Sequence, residues 1–213
     1  MSAAAAVATE VYSRSNPSPR YRELTALYAQ AHVSGLPDQN IKAENLFNGV
    51  SIIPQLPKIH LLCQKLGAKT LLDYGCGKGL QYRARNIKLL SGEVIPNVQS
   101  YLGVDAITCY DPGVAEYQKF PDGKFDGVIS TDVLEHCPEP DLPWILEEMF
   151  GAARMFVFAN IAAYPAGKRL QNGENAHCTV QSQEWWNAII APIAARHPGV
   201  FTRFEVSERY QAA

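Results

Sequence analysis

The spacing of apolar residues changes along the chain near residue 68. Ahead of that point, apolar residues recur at helical spacing in "RYRELTALYAQAH" and again in "KIHLLCQKLGA", which predicts two helices. Behind it, short apolar runs alternate with helical segments, and glycine or proline follows several of the runs. Apolar runs of this length are typical of strands that are buried on both faces of a parallel sheet.

After residue 68, strand patterns and helix patterns alternate. This order predicts an α/β fold with a mostly parallel sheet and helices on both of its faces. Only fourteen residues separate Asp111 from Asp126, too few for a normal helix, strand and loop, so the fold is expected to be shortened there. The predicted strands are "TLLDYG", "AITCYDPG", "KFDGVIST", "RMFVFANI" and "VFTRFEVSER", and the predicted helices are "LQYRARNIKLL", "PDLPWILEEMFGAA" and "SQEWWNAIIAPIAARH".

The pattern also divides the chain into three parts. Residues 1–17 are rich in Ala and Ser without a basic start and a continuous apolar segment, which predicts a disordered tail and not a signal peptide. Residues 18–67 form a predicted N-terminal helical lid or cap, whose first helix has Ser18 as N-cap and Pro19 at its first position. Residues 68–213 form the predicted α/β part of the chain, and the whole is expected to be a single domain.

Composition and charge narrow the classes of partner. With 47% hydrophobic residues in a chain of 213, a full core can form, and no apolar run is long enough to span a membrane. The net charge of −2 gives no overall attraction to nucleic acids or anionic membranes, so neither is an expected partner. Five cysteines without a secretion signal predict reduced thiols in a cytoplasmic protein. We expect a monomer or a homodimer.

The first predicted strand runs directly into a glycine-rich loop in "LLDYGCGKGLQY". Gly75, Gly77 and Gly79 leave the backbone open at the carboxyl end of a strand, where open parallel sheets bind their ligands. The loop lacks the Gly-Lys-Ser/Thr of a phosphate loop, and its third glycine comes one residue too early for the dinucleotide fingerprint. Because Asp73 would repel a pyrophosphate and attract a cation, the pattern predicts a nucleoside that carries positive charge.

Three segments resemble the class I S-adenosylmethionine-dependent methyltransferase superfamily. "LLDYGCGKG" resembles its motif I, and "KFDGVISTDVLEHCPEPD" resembles its fourth-strand segment. "NAHCTVQSQEWW" is similar to the His-x-x-x-x-Ser/Thr stretch before the last long helix of the small-molecule branch. The likeness covers residues 45–208, roughly, and implies a Rossmann-like fold. That fold would be shortened after strand two and at the C-terminus, where the superfamily normally adds a hairpin.

The resemblance implies that S-adenosylmethionine lies across the glycine loop, with Asp73 near its amino group or linked to it through water. An acidic residue at the end of the second strand would accept the ribose hydroxyls, and Asp105 and Asp111 are both candidates. Asp111 is favoured because it closes the more β-branched run and precedes Pro-Gly. The expected cofactor-binding residues are Asp73, Tyr74, Gly75, Gly77, Gly79, Asp111 and Asp132.

The acceptor of the methyl group is expected to meet residues that follow the next strands. "STDVLEHC" makes Asp132, Glu135 and His136 candidates for acid–base chemistry, and the loop after "RMFVFANI" adds His177. The expected catalytic residues are His136, His177 and Asp132. The expected substrate-binding residues are Lys168 and Arg169, which suit a carboxylate or phosphate, and Tyr21 and Tyr28 from the lid. Phe47 and Ser51 are further candidates from the lid.

Three functions are compatible with these features. The predicted one is methyl transfer from S-adenosylmethionine to an oxygen or nitrogen of a small molecule, such as a metabolite, a lipid precursor or a sugar. An RNA or protein methyltransferase is disfavoured because the chain has no basic tail and no Asn-Pro-Pro-Tyr type of tetrad. A catalytically inactive S-adenosylmethionine-binding regulator is disfavoured because every motif I glycine is present. No metal is expected, since the pairs His136-Cys137 and His177-Cys178 lack the tight spacing of a zinc site.

Overall fold

The computed structural model describes residues 11–208 of the chain. Its strands are β1 (Thr70–Tyr74), β2 (Ile87–Lys88), β3 (Val94–Ile95), β4 (Ala106–Tyr110), β5 (Phe125–Thr131), β6 (Ala153–Ala162) and β7 (Phe201–Ser207). Five of them form one sheet in the order β4-β1-β5-β6-β7, and each pairing in it is parallel. The short strands β2 and β3 form a separate antiparallel ladder. The predicted α/β fold with a mostly parallel sheet is confirmed.

Helices flank this sheet, and short 3₁₀ turns connect several of the elements. The N-cap predicted at Ser18 is present, because its side chain accepts a hydrogen bond from Tyr21 N, and Ser182 caps α6 in the same way by accepting one from Trp185 N. None of the helices within residues 11–208 is long and apolar enough to cross a membrane. The α-helices are α1 (Pro19–Ser34), α2 (Leu56–Leu66), α3 (Leu80–Arg83), α4 (Val98–Leu102), α5 (Leu142–Ala152) and α6 (Gln183–Ala194), and the 3₁₀ turns are Pro37–Gln39, Ala43–Asn45, Val50–Gln55, Leu134–His136 and Glu139–Asp141.

The sheet separates two hydrophobic clusters. Successive residues of a strand point to opposite faces, so Leu71 and Leu72 of β1 enter different clusters. Leu72 packs in a core with the apolar stripes of α5 and α6, whereas Leu71 packs with those of α2 and α4. Because both faces of the sheet are covered, its strands read as continuous apolar runs and not as alternating ones.

The structure differs from the sequence prediction directly after the glycine loop. The pattern predicted a helix over "LQYRARNIKLL", but α3 ends at Arg83 and the chain then forms the β2–β3 hairpin. Asn86 has a φ of 53°, which breaks the helical path, and Gly92 makes the hairpin turn with a φ of 88°. The predicted shortening after the second strand is confirmed, because residues 111–124 contain neither helix nor strand.

The predicted disordered tail, residues 1–17, is wrong for the part that the structure describes. The side chain of Arg14 forms an ion pair with Glu148 and donates a hydrogen bond of 2.7 Å to the hydroxyl of Tyr110. Its guanidinium also lies 4.4 Å from the ring centroid of Phe120. Composition could not reveal these contacts, because each partner is distant in sequence. Residues 1–10 lie outside the described part.

Replacement of Gly127 in β5 by alanine tests how tightly the side chains pack on the face of the sheet that α2 covers. The Cβ of an alanine there would overlap the ring of Phe156 and lie 2.8 Å from Leu71 Cδ2. We expect Gly127→Ala to lower the free energy of unfolding by about 1–3 kcal/mol, because extra volume in a close-packed core forces its neighbours to shift.

The matched control is Gly151→Ala in α5, where a new Cβ meets no atom within 4 Å. This change is expected to be neutral or to stabilise the protein by up to about 1 kcal/mol, because alanine favours the helix. Urea unfolding of both variants measures the difference. Equal effects of the two substitutions would show that the packing at Gly127 has been read wrongly.

Candidate active site

One cavity of about 330 Å³ lies at the carboxyl edge of the sheet. It extends from the glycine loop after β1 to the histidines that follow β5 and β6, and α1 and the Val50–Gln55 turn cover it. This position agrees with the rule that open parallel sheets bind ligands beyond the carboxyl ends of their strands. The residues discussed below that line it are Tyr21, Tyr28, His32, Phe47, Ser51, Tyr74, Gly75, Gly77, Gln81, Asp111, Asp132, His136, Asn160, Tyr164, Lys168 and His177.

The glycine loop presents backbone to the cavity. Gly75 has a φ of 86° and Gly77 a φ of 57°, a region that favours glycine. A Cβ on Gly77 would lie 3.0 Å from the carbonyl oxygen of Phe47, so a side chain there would press against the backbone of the lid. Gly79 is placed differently, since it precedes α3 beside Tyr117 and does not line the cavity.

The two candidates for the ribose carboxylate lie at opposite ends of β4. Asp105 precedes the strand, and its backbone N–H donates to Lys69 O at the amino edge of the sheet. Asp111 follows the strand and lines the cavity. Its Oδ2 accepts a hydrogen bond of 2.9 Å from Gly77 N, and its Oδ1 accepts one of 2.8 Å from Gly113 N. Burial raises the pKa of Asp111, and these two N–H groups act in the opposite direction.

Asp73 is placed behind the glycine loop and does not line the cavity. Its Oδ2 accepts hydrogen bonds from the Tyr82 hydroxyl at 2.7 Å and from Gln81 Nε2 at 3.2 Å. Its buried Oδ1 has no partner among the described residues. Burial raises the pKa of Asp73 to about 7, although both hydrogen bonds oppose the shift. Gln81, which sequence reasoning missed, is therefore the side chain that joins Asp73 to the cavity wall.

Asp132 directly follows β5 and lies in the turn after that strand. Its φ of 54° is left-handed, and its carboxylate accepts a hydrogen bond from the side-chain amide of Asn160 on β6. Burial raises the pKa of Asp132, while the Asn160 amide and the positive charge of Lys168 lower it. The strained backbone and the bond to Asn160 aim this carboxylate at the cavity, where the sequence predicted it.

His136 and His177 meet although 40 residues separate them in the chain. Their ring centroids lie 4.7 Å apart in an edge-to-face arrangement. His136 Nδ1 lies 2.8 Å from the carbonyl of Ala176 and 2.7 Å from the hydroxyl of Tyr28, and His177 Nδ1 lies 2.6 Å from the carbonyl of Tyr164. A carbonyl oxygen can only accept, so both Nδ1 atoms carry the proton and both Nε2 atoms keep a lone pair.

Both histidines are neutral at physiological pH. Burial, followed by the neighbouring His177, lowers the pKa of His136 to about 3. Burial also lowers the pKa of His177, and the charge of Lys168 adds to the effect. The unperturbed value of about 6.5, on which the expectation of a general base rested, therefore does not apply to His136.

Glu135 lies next to the histidines, in the interior of the protein. Its Oε1 accepts a hydrogen bond of 3.0 Å from Ala162 N, and its buried Oε2 has no partner among the described residues. Burial, followed by the nearby charge of Asp132, raises the pKa of Glu135 to about 8. A carboxylate oxygen of Glu135 and one ring nitrogen of each histidine all lie within 4.8 Å of one another.

Three of the four residues expected to bind substrate lie at the cavity, and their role stays a prediction. Tyr21, Tyr28 and Lys168 line the cavity, and Lys168 Nζ lies 5.9 Å from the ring centroid of Phe47. Arg169, the fourth, does not line the cavity. Arg169 is exposed and donates to Gly173 O at 3.0 Å, because the loop turns between neighbouring residues and sends the two side chains in different directions.

Three further residues of the cavity wall escaped sequence reasoning. His32 and Tyr164 lie in segments without a recognisable motif, and Asn160 is a single polar residue inside the apolar strand β6. Burial, followed by the charge of Lys78, lowers the pKa of His32 to about 4. Of the three, the sequence pattern could have indicated only Asn160, because it is the polar residue that interrupts the apolar run of β6 near its carboxyl end.

Replacing Asp73 by Asn tests the burial of its carboxyl group. This carboxyl titrates near pH 3.9 in an unfolded chain and near pH 7 in the folded one. Between these values the folded state binds the proton and the unfolded state does not. The free energy of unfolding that the protonated Asp73 carboxyl group contributes is therefore lost as the pH rises, by up to about 1.4 kcal/mol per pH unit. We expect the unfolding free energy of the wild type, relative to Asp73→Asn, to fall between about pH 5 and about pH 7 in urea titrations.

Asp126→Asn is the control for this experiment. Burial of Asp126 is outweighed by N–H groups of Lys69 and Thr70, which hold its pKa below the usual value. Asp126 is therefore ionised in both states over this pH range, and its removal should leave the pH slope unchanged. A slope for Asp73→Asn that equals the wild-type slope would contradict the buried, protonated state of Asp73.

Comparison with known proteins identifies the central part of the chain. Residues 72–154 match a family model described as a methyltransferase domain. A protein of Pseudomonas putida described as a probable fatty acid methyltransferase is 31% identical over 113 residues, which is 47% of this chain and 29% of that protein. The chain thus spans less than a third of the length of this relative. The matched residues include most of β1, the glycine loop, β4, β5 and α5, in agreement with the superfamily resemblance: residues 72–154 carry a methyltransferase domain.

Proposed function

We propose that this protein transfers the methyl group of S-adenosylmethionine to an oxygen or nitrogen of a small molecule. The observation that carries the proposal is the single cavity, which joins the glycine loop and Asp111 at one end to His136, His177 and Lys168 at the other. Its volume of about 330 Å³ falls in the range of small-molecule sites. A donor and an acceptor that share one enclosed space can be held in line, which is the main requirement of methyl transfer.

The residues at the glycine end fit S-adenosylmethionine. A Cβ on Gly75 would overlap the side chain of Val133 and one on Gly77 would press on Phe47 O, so the loop offers bare backbone there, and the carboxylate of Asp111 has acceptor capacity beyond its two backbone hydrogen bonds. Tyr74 and Asp132 line the same space. S-adenosylmethionine supplies a methyl group activated on a positively charged sulfonium, and the carboxylates of Asp111 and Asp132 suit that charge. Asp73 would act through Gln81 and not by direct contact.

The other end of the cavity suits an acceptor that carries negative charge. Among the described residues that line the cavity, Lys168 is the one lysine or arginine. Tyr28 and Phe47 provide apolar surface beside it. His177, with its Nε2 lone pair, is the candidate to take a proton from an acceptor atom, and His136 with its low pKa is the candidate to orient it. A carboxylate or phosphate on a metabolite or lipid precursor fits these features, and the relative described as a fatty acid methyltransferase makes acyl compounds the first class to test.

The ribose position can be tested with the two acidic residues at the ends of β4. We expect Asp111→Ala to weaken S-adenosylmethionine binding by about 1.5–3 kcal/mol, more than tenfold, because a charged acceptor is removed. Calorimetric titration of the purified protein measures the effect. Asp105→Ala is the matched control and should bind like the wild type, since Asp105 lies at the opposite edge of the sheet. The reverse ranking of these two variants would overturn the placement of the cofactor.

The acceptor class can be tested by following the methyl group. We expect radiolabelled methyl from S-adenosylmethionine, added with the protein to an extract of its source cells, to enter the small-molecule filtrate and not the RNA or protein fraction. Gly77→Val is the control that should abolish labelling, because a branched side chain would occupy the loop beside Phe47 O.

Label in the RNA or protein fraction would instead support a macromolecular acceptor. Binding of S-adenosylmethionine without any transfer would indicate an inactive regulator. Either result would contradict the proposal.

A further inference from the structure

Three side chains that commonly bind metals converge at the acceptor end of the cavity. We call Glu135, His136 and His177 the Glu-His-His cluster; one ligand atom from each lies within 4.8 Å of the other two. The members come from two loops, the 3₁₀ turn after β5 and the long loop after β6. The cluster is therefore formed by the fold and has no signature in sequence spacing.

The two histidines are oriented as metal ligands usually are. His136 Nδ1 is held by the carbonyl of Ala176, and His177 Nδ1 is held by the carbonyl of Tyr164. A metal-binding histidine commonly donates its second N–H to a backbone carbonyl, which fixes the ring and leaves the other nitrogen for the ion. Both Nε2 atoms are left available in this way.

Glu135 supplies the missing negative ligand. Its side chain is fully buried, and Ala162 N occupies only Oε1. Oε2 is buried without a partner among the described residues. A buried carboxylate oxygen without a partner is costly, and coordination to a cation is one of the few interactions that would satisfy it.

We propose that the Glu-His-His cluster binds a divalent first-row transition metal ion. Two imidazole nitrogens and one carboxylate oxygen favour Mn²⁺, Fe²⁺, Co²⁺, Ni²⁺ or Zn²⁺ over Mg²⁺ and Ca²⁺, which prefer oxygen ligands. Ligand atoms that share one ion at about 2.1 Å lie no more than about 4.2 Å apart, so a small inward movement completes the site.

Such an ion would face the acceptor. His136 and His177 line the cavity, so open coordination positions of the ion would point into it. A hydroxyl oxygen of the acceptor could occupy one of them, and the ion would make that hydroxyl easier to deprotonate, in place of His177, whose Nε2 would then hold the ion. This role in acceptor binding rests on the proposed function, whereas the metal site itself does not.

The site can be tested by cobalt titration of the full chain after treatment with a chelator. Co²⁺ reports its ligands through visible absorption, and we expect one equivalent to bind and Zn²⁺ to compete with it, while Ca²⁺ does not. His177→Gln and Glu135→Gln should each weaken Co²⁺ binding at least about tenfold. Because Glu135 is buried and its variant could misfold, His177→Gln, at a partly exposed loop position, decides the result if Glu135→Gln does not fold.

His60→Gln is the matched control. His60 is partly exposed like His177, but it packs against Tyr101 outside the cavity, and its variant should bind Co²⁺ like the wild type. Equal Co²⁺ affinity of the wild type and His177→Gln, or no binding by either, would overturn the metal site. Calorimetry with S-adenosylhomocysteine, the product that S-adenosylmethionine leaves after methyl transfer, separates the two proposals. Binding of S-adenosylhomocysteine without binding of Co²⁺ refutes only the metal site. Binding of Co²⁺ without binding of S-adenosylhomocysteine refutes only the proposed cofactor.

Discussion

The carboxylate of Asp111 ties together the two loops on which the cavity is built. It accepts the N–H of Gly77 at 2.9 Å and that of Gly113 at 2.8 Å, and so joins the loop after β1 to the loop after β4. The carbonyl of Tyr110 accepts from Gly75 N and Cys76 N and holds the same glycine loop at the strand end. With the loop held in this way, glycines with positive φ turn backbone and not side chains toward the cavity.

Charged groups of both signs face this one cavity, and Asp132 lies close enough to Lys168 for that charge to lower its pKa. Parallel pairing brings the carboxyl ends of β4, β1, β5 and β6 to one edge, so the residues that follow each strand meet there. Asp111 follows β4, while Asp132 follows β5 and is fixed by Asn160. The neutral histidines and Lys168 lie toward the other end. A positively charged donor and a negatively charged acceptor would therefore find complementary surroundings in one space.

The sequence predicted the strands well, because buried parallel strands leave continuous apolar runs, but it predicted the contacts between loops poorly. "LQYRARNIKLL" has helical spacing, yet the hairpin of Ile87–Lys88 depends on turns at Asn86 and Gly92 that periodicity does not show. Asp111 could be favoured from its strand end, whereas the burial of Asp73 behind Gln81 and Tyr82 could not. The meeting of His136 with His177 depends on how a long loop folds back, which no local pattern encodes.

The most direct test of the account is a crystal structure of the protein with S-adenosylhomocysteine. The account predicts that both ribose hydroxyls lie within hydrogen-bond distance of the Asp111 carboxylate and that the sulfur lies in the cavity between the glycine loop and the two histidines, His136 and His177. A ligand bound elsewhere, or one in this cavity whose ribose is held by another residue while Asp111 keeps only its bonds to Gly77 and Gly113, would contradict it.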